Sequence, residues 1–152
     1  MKFYAKKFNE LSGREVYEIL KVRSQVFMLE QGIRCLDMDG VDFDCLHLFF
    51  EEQGKILGYL RAFSLDEKGN VKIGRVLTTC RGKGIGRSLM QQVENALPKY
   101  FSGEYIYVDA QKQAVPFYEK CGFACISEEF MEEGVPHIKM QKSFHKMESV
   151  FS

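Results

Sequence analysis

Residues Arg81-Gly82-Lys83-Gly84-Ile85-Gly86-Arg87-Ser88 carry the densest chemistry in the chain. Three glycines alternate with other residues in a basic loop. The largely β-branched run Val76-Leu77-Thr78-Thr79 leads into it, and an apolar pattern of helical spacing follows at once. A glycine lets the backbone come close to a ligand, because no Cβ stands in the way. N–H groups at a helix start, next to the positive end of the helix dipole, bind anions. Arg81, Lys83 and Arg87 raise the local potential further. These residues point to a phosphate-bearing cofactor seated at 81–88.

The spacing narrows the choice. A kinase-type nucleotide loop needs Gly-x-x-x-x-Gly-Lys-Ser/Thr, but here Lys83 precedes Gly84 and Ser88 comes too late. A dinucleotide fingerprint needs Gly-x-Gly-x-x-Gly after the first strand of a βαβ unit. The glycines at 82, 84 and 86 lack the final gap, and the loop lies mid-chain. What remains is Arg-x-x-Gly-x-Gly, from Arg81 to Gly86.

The elements that must position this loop follow from periodicity. Phe3 to Phe8 reads as a strand. Ser12 and Glu15 match a capping box, and Val16, Ile19, Leu20, Val26 and Phe27 continue at helical spacing up to Gln31-Gly32. Asp37 to Asp44 is an acidic loop. His47–Glu52 and Lys55–Leu65 form a hairpin about Gln53-Gly54, and Val71–Leu77 is the next strand. Ile85, Leu89, Val93 and Leu97 share one helical face, which Pro98 ends. A strand at Tyr105–Val108, a helix at Val115–Lys120 closed by Gly122, and strands at 124–126 and 137–141 complete the order β-α-β-β-β-α-β-α-β-β.

Composition sets the bounds. With 152 residues, 45% hydrophobic content and 13 Phe, the expectation is one domain over 1–144 with a polar tail at 145–152. The 21 basic and 21 acidic residues cancel, which argues against nucleic acid or an anionic membrane as partner. No apolar run approaches the roughly 20 residues of a membrane span. Residues 1–9 do not read as a signal peptide. The five Cys at 35, 45, 80, 121 and 125 contain no Cys-x-x-Cys pair, as expected of reduced thiols in the cytoplasm.

Arg81 to Gly86 resembles the pyrophosphate loop of the GCN5-related N-acetyltransferases. A second stretch supports the resemblance: Ala114-Val115-Pro116-Phe117-Tyr118-Glu119-Lys120-Cys121-Gly122-Phe123 is similar to that family's Ala-x-x-x-Tyr-Glu-Lys-x-Gly-Phe segment. Further stretches resemble the ElaA-like acetyltransferases: Val26 to Gln31, Asp37 to Asp42, His47, Ile73 to Val76 and Gly134 to Ile138. The resemblance implies a mixed α/β (α+β) fold. Its central sheet would be mostly antiparallel, flanked by helices and splayed between the strands at 71–77 and 105–109. It implies acetyl-CoA as co-substrate and an amine, on a small molecule or a peptide, as acceptor. A homodimer is an open arrangement.

Site residues follow from the same resemblance. The donor's pyrophosphate would sit on Arg81, Gly82, Lys83, Gly84, Ile85 and Gly86, with Arg87 and Ser88 adding side-chain bonds. Val76, Leu77 and Thr78 would pair with the pantothenate arm as an added strand and supply the oxyanion's N–H. Gln111 stands where the family often has Asn, so the amide is kept with a longer reach. Phe117 belongs to the same donor site. Tyr118 would be the general acid for the leaving thiolate.

The base is not legible. Glu30 and His137 are the candidates, drawn from polar residues that include Asp39, Asp42, His47 and Arg75. The acidic stretch 37–44 reads equally as an attractor for a cationic amine or as a solvated loop. It lacks the spacing of a calcium loop, so no metal is expected. Two rival readings stand beside the enzyme: a non-catalytic acyl-CoA-binding or regulatory module, and an acyltransferase using a longer donor. For the second, Arg23-x-x-Val26-Phe27 resembles acyl-homoserine-lactone synthases over that short stretch only.

Overall fold

Most of the strands and α-helices among the described residues arise from local patterns that the chain makes plain. The computed structural model describes residues 1–144; the expected polar tail at 145–152 lies outside the described residues. The fold is mixed α/β, with eight strands in mostly antiparallel pairings and three α-helices. The described residues fall into two compact units. Met1–Phe63 with Gly74–Leu89 makes the first, and Ser64–Ile73 with the chain from Met90 onward makes the second.

In the first unit, β1 (Lys2–Lys7), β2 (Leu46–Glu52) and β3 (Lys55–Ser64) are consecutive antiparallel neighbours. Gln53 and Gly54, at φ 50° and 77°, close the β2–β3 hairpin. Two left-handed residues in a two-residue loop match the twist of the strands they join. Helix α1 (Gly13–Arg23) starts on the expected capping box. The Glu15 N–H donates to Ser12 Oγ at 3.0 Å, and the Ser12 N–H donates back to Glu15 Oε1 at 2.8 Å. Ile19, Val22 and Val26 pack against Phe49, Ile56, Tyr59 and Leu77 to form the core here.

The helical pattern does not stay α-helical to its end. Ser24–Glu30 widens into a π-helix, with the Gln31 N–H reaching back to the Val26 carbonyl. No proline or glycine between Gly13 and Gly32 marks the change in the sequence. The apolar spacing of a helix is nearly the same on either side of it, so the pattern reads as one helix.

β4 (Val71–Thr78) runs into the glycine loop, and α2 (Ile85–Ala96) leaves it. Gly58 on β3 brings the start of α2 close. A Cβ at that position would lie 3.3 Å from Ile85 Cγ2 and 3.4 Å from Leu89 Cδ2. Ile85 and Leu89 are both buried there.

In the second unit, Val71–Ile73 of β4 runs parallel to Ile106–Val108 of β5 (Tyr105–Gln111). β5 then pairs antiparallel along its whole length with β8 (Val135–Ser143). Helix α3 (Val115–Lys120) has the expected bounds, and Gly122 follows it at φ 95°. β6 (Ala124–Cys125) and β7 (Phe130–Glu132) both pair with β8. β7 is one strand more than the sequence predicts. It is three residues long and lies in an acidic run, so no alternation announces it. Its hairpin turn, Glu133-Gly134, has φ of 51° and 73°.

Gly58→Val should destabilise the protein by about 1–3 kcal/mol through overpacking against α2. A fall in the urea midpoint at unchanged slope would confirm it; an unchanged midpoint would mean that α2 does not need this close approach.

Candidate functional site

The glycine loop exposes its backbone. Gly82 and Gly84 take φ of 78° and 70°, and no atom outside their chain neighbours lies within 4 Å of where a Cβ would stand on either. The Gly84 carbonyl accepts from the Ser88 N–H at 3.0 Å, so α2 begins at this glycine. The helix's first N–H groups have no partner within it. Arg81, Lys83, Arg87 and Ser88 are exposed around that end, while Ile85 is buried beneath it. An anion reaching this helix start would meet backbone donors, the positive dipole end and three cationic side chains.

Just before the loop, Val76 and Thr78 are half-buried and Leu77 belongs to the core. The Thr79 N–H donates to the Leu57 carbonyl at 2.9 Å, which keeps the strand's end paired with β3. The Glu30 carboxylate, at the end of the π-helix, lies 3.7 Å from Arg81. Both side chains are well exposed, so this ion pair adds little to stability.

Three of the acidic loop's four carboxylates are tied into a charge network, and the fourth, Asp44, is exposed. Arg23 has 0% side-chain exposure, and its guanidinium donates to Asp37 Oδ2 at 2.8 Å and Asp42 Oδ1 at 2.7 Å. Arg61 pairs with Asp39 at 2.6 Å and with Asp42 at 3.0 Å. Arg75 pairs with Asp37 at 2.8 Å. Three carboxylates are thus spent on three guanidinium groups. Burial alone would raise the Asp42 pKa, but the bonds from Arg23 and Arg61 outweigh it and hold the group below the carboxylate range. The Arg61 fork holds Asp39 far below that range. Among the described residues, Arg61 Nε is a buried side-chain nitrogen left without a partner.

The same network claims His47. Its Nε2–H donates to the Asp42 carbonyl at 2.9 Å, and its Nδ1 accepts from the Tyr59 hydroxyl at 2.7 Å. Burial lowers its pKa, so the ring is neutral and both nitrogens are occupied. Cys45 is buried beside it, its thiol bonded to the Val41 carbonyl and its pKa pushed up to about 12 by burial. A cavity of about 140 Å³ adjoins the network in this unit. Phe8, Leu11, Ile19 and Leu20 wall it, while Arg23 and Asp42 at its edge bond each other.

Arg75 departs from strand geometry, with φ of 51° in the middle of β4. The left-handed region costs a non-glycine residue about 1–2 kcal/mol. Charge-assisted bonds to Asp37 offset that cost.

In the second unit, Tyr118 on α3 is 5% exposed. Its ring meets Phe117 and Phe123 edge-on at 5.2 Å and 5.5 Å. Burial raises its pKa, which keeps the phenol protonated. Gln111 ends β5 and accepts from Gln113 Nε2. Lys112 is paired with Glu129 at 2.8 Å. His137 on β8 is buried, stacked on Phe130. Its Nδ1–H donates to the Val135 carbonyl at 2.7 Å, so in the neutral ring Nε2 carries the lone pair. Glu132 lies 3.8 Å from that nitrogen. Among the described residues, no group of three His, Cys, Asp or Glu is gathered to hold a metal, and no helix is long and apolar enough to cross a membrane.

Arg61 escaped the sequence reading, although a signal was present. An arginine inside Tyr59-Leu60-Arg61-Ala62-Phe63 must be paired if that strand is buried on both faces.

Known proteins resemble this chain in sequence and fold. The acetyltransferase (GNAT) domain family matches residues 28–144. A UPF0039 protein of Schizosaccharomyces pombe is 33% identical over 145 residues, covering 93% of this chain and 96% of its own. Protein ElaA of Escherichia coli is 32% identical, covering 88% and 91%. The crystal structure of that ElaA superposes with a TM-score of 0.85 at 28% identity, over 93% of this chain and 99% of its own. An acyl-CoA N-acyltransferase from Pseudomonas aeruginosa reaches the same TM-score at 30% identity and the same coverage.

Two predictions follow from the charge network. Asp42→Ala, which leaves Arg23 buried with half its partners, should cost about 3–5 kcal/mol by chemical denaturation; a cost near zero would show that Asp37 alone suffices. The second concerns pH. Asp39 and Asp42 have folded pKa values below their unfolded ones, so their stabilisation is present above about pH 4 and is lost as pH falls through the folded values. His47 is also depressed, so its contribution is lost as pH falls below about 6.5. Unfolding free energy should therefore decline below about pH 6 and more steeply below about pH 4, and His47→Gln should flatten the upper part.

Proposed function

We propose that this chain, which belongs to the GNAT acetyltransferase family, is an acyl-CoA-dependent N-acyltransferase that moves an acetyl group from acetyl-CoA to a primary amine. The glycine loop that opens α2 carries this reading. Its exposed backbone and three basic side chains suit the donor's pyrophosphate. Arg81 to Gly86 supply the N–H groups, and Arg87 and Ser88 add side-chain bonds. Val76, Leu77 and Thr78 pair with the amides of the pantothenate arm, and a backbone N–H there receives the oxyanion. Gln111 and Phe117 complete the donor site.

The amine attacks the thioester carbonyl directly, in a ternary complex. The C–N bond forms as the tetrahedral intermediate gathers negative charge on oxygen. That intermediate then expels the thiolate, and the nitrogen loses its proton to a base. Tyr118 protonates the departing sulfur. Burial raises the phenol's pKa, so it holds its proton until a strong base forms beside it. Burial makes the nascent thiolate a stronger base than it is in water, by the same physics. His137 is a candidate base, since its Nδ1–H bond leaves Nε2 with the lone pair. Glu30 is the weaker candidate, because its carboxylate faces Arg81. The acceptor is a small-molecule or peptide amine, the setting is cytoplasmic, and a homodimer fits the reading.

Calorimetry with acetyl-CoA, and with NADH and ATP as controls, tests the donor site. Wild type should bind acetyl-CoA selectively, and the double variant Arg81→Ala/Gly84→Ala should lose that binding. No binding by the wild type would end the acyltransferase reading. Turnover is the second test. Tyr118→Phe should lower thiol release with an accepted amine by about a hundredfold or more while leaving acetyl-CoA affinity unchanged. Equal turnover would remove Tyr118 from the mechanism. Absence of turnover with every amine tried would favour a non-catalytic acyl-CoA-binding module, and faster turnover with long-chain donors would favour a different acyl group.

A further inference from the structure

Among the described residues, three non-glycine residues have positive φ. Gln53 and Glu133 occupy two-residue hairpin turns, where the left-handed region is demanded. Arg75 is the third, and it stands inside a strand. A turn does not require its conformation, so something else must hold it.

Its side chain supplies the hold. Arg75 Nε donates to Asp37 Oδ1 at 2.8 Å, and one terminal nitrogen donates to the Asp37 carbonyl at 3.0 Å. Asp37 cannot yield to Arg75, because its other oxygen takes the Nε–H of the fully buried Arg23 at 2.8 Å. Arg23 Nη2 holds the same Asp37 carbonyl at 3.0 Å. The anchor is therefore fixed from the core side before Arg75 reaches it. A left-handed residue within a strand rotates the peptide planes that follow, so it sets where the N–H and C=O of the next residues point. Those next residues are Val76, Leu77 and Thr78.

We propose that Arg75 is a positioning residue: tied to the 37–39 loop, it holds the kink in β4 that aims the backbone of Val76–Thr78 at the donor's pantothenate arm. This rests on the donor site proposed above. The guanidinium itself touches no reactant. Its task is conformational, and glycine, which takes positive φ without penalty, can perform it without any side chain.

The test compares wild type, Arg75→Ala and Arg75→Gly as full-length chains. Asp37 keeps Arg23 in both variants, so both should fold. Two ligands are titrated: acetyl-CoA, and 3′-phospho-ADP, which is the donor's nucleotide half without the arm. Arg75→Ala should weaken acetyl-CoA by about tenfold, the loss of one or two backbone hydrogen bonds, and leave 3′-phospho-ADP unchanged. Arg75→Gly should restore acetyl-CoA affinity to near the wild-type value. Backbone ¹³C and ¹⁵N shifts of residues 76–78 should move in the alanine variant and stay near wild type in the glycine variant.

Wild-type acetyl-CoA affinity in Arg75→Ala would overturn the proposal. So would equal losses in both variants with unmoved shifts, since the side chain would then be touching the donor itself. Equal weakening of both ligands would overturn it too, by pointing to a general loss of structure. A wild type that binds neither ligand would overturn the proposed function and the donor half of this proposal. The shifts would still decide whether Arg75 holds the backbone.

Discussion

No water reaches the Arg23 guanidinium, and that single fact constrains much of the first unit. A buried cation without partners costs several kcal/mol, so carboxylates must be brought to it. Asp37 and Asp42 meet that need, and in meeting it they fix the loop that carries them. A fixed loop then offers its remaining oxygens to Arg61 and Arg75. The carbonyl of Asp42 also takes the His47 Nε2–H, while burial lowers the pKa of that ring. A stretch that is otherwise polar and turn-rich is thereby rigid, without strand or long helix of its own.

Such a network stabilises less than its count of ion pairs suggests, because each buried charge was first stripped of water. Its value lies in geometry. Guanidinium forks accept carboxylates from few directions, so a ring of them leaves little freedom in the backbone that carries it. Asp37, Asp39 and Asp42 are for that reason spent, with no surplus charge to offer a cationic amine.

The glycine loop works on the opposite principle. Gly82 and Gly84 keep backbone groups open, whereas the Arg–Asp ring closes them. Gly58 lets α2 pack against β3, and buried Ile85 and Leu89 seat the helix whose first turn faces solvent. Rigid packing beneath and bare backbone above is the arrangement an anion site needs, since the donors then require no reorganisation. In the second unit Tyr118 shows the same economy. Its aromatic neighbours exclude water, and exclusion of water keeps its proton in place.

Much of this was legible without coordinates. The glycine loop, the capping box at Ser12 and Glu15, the α2 face of Ile85, Leu89, Val93 and Leu97, and the α3 bounds all follow from short-range rules. Glycine, helix caps and 3.6-residue periodicity act within a few positions, so the chain states them locally. The three-residue β7 and the π-helix at Ser24–Glu30 were not legible. One exists through its pairing with β8, and the other shares its apolar spacing with an α-helix. The Arg–Asp ring joins residues up to 38 apart, and the left-handed φ of Arg75 depends on it. Sequence alone determined which groups are present and where most helical and extended segments lie. Only the tertiary structure decided which charges cancel and which stay free, because a charge's partner is set by distance and burial, and neither is a property of neighbouring letters.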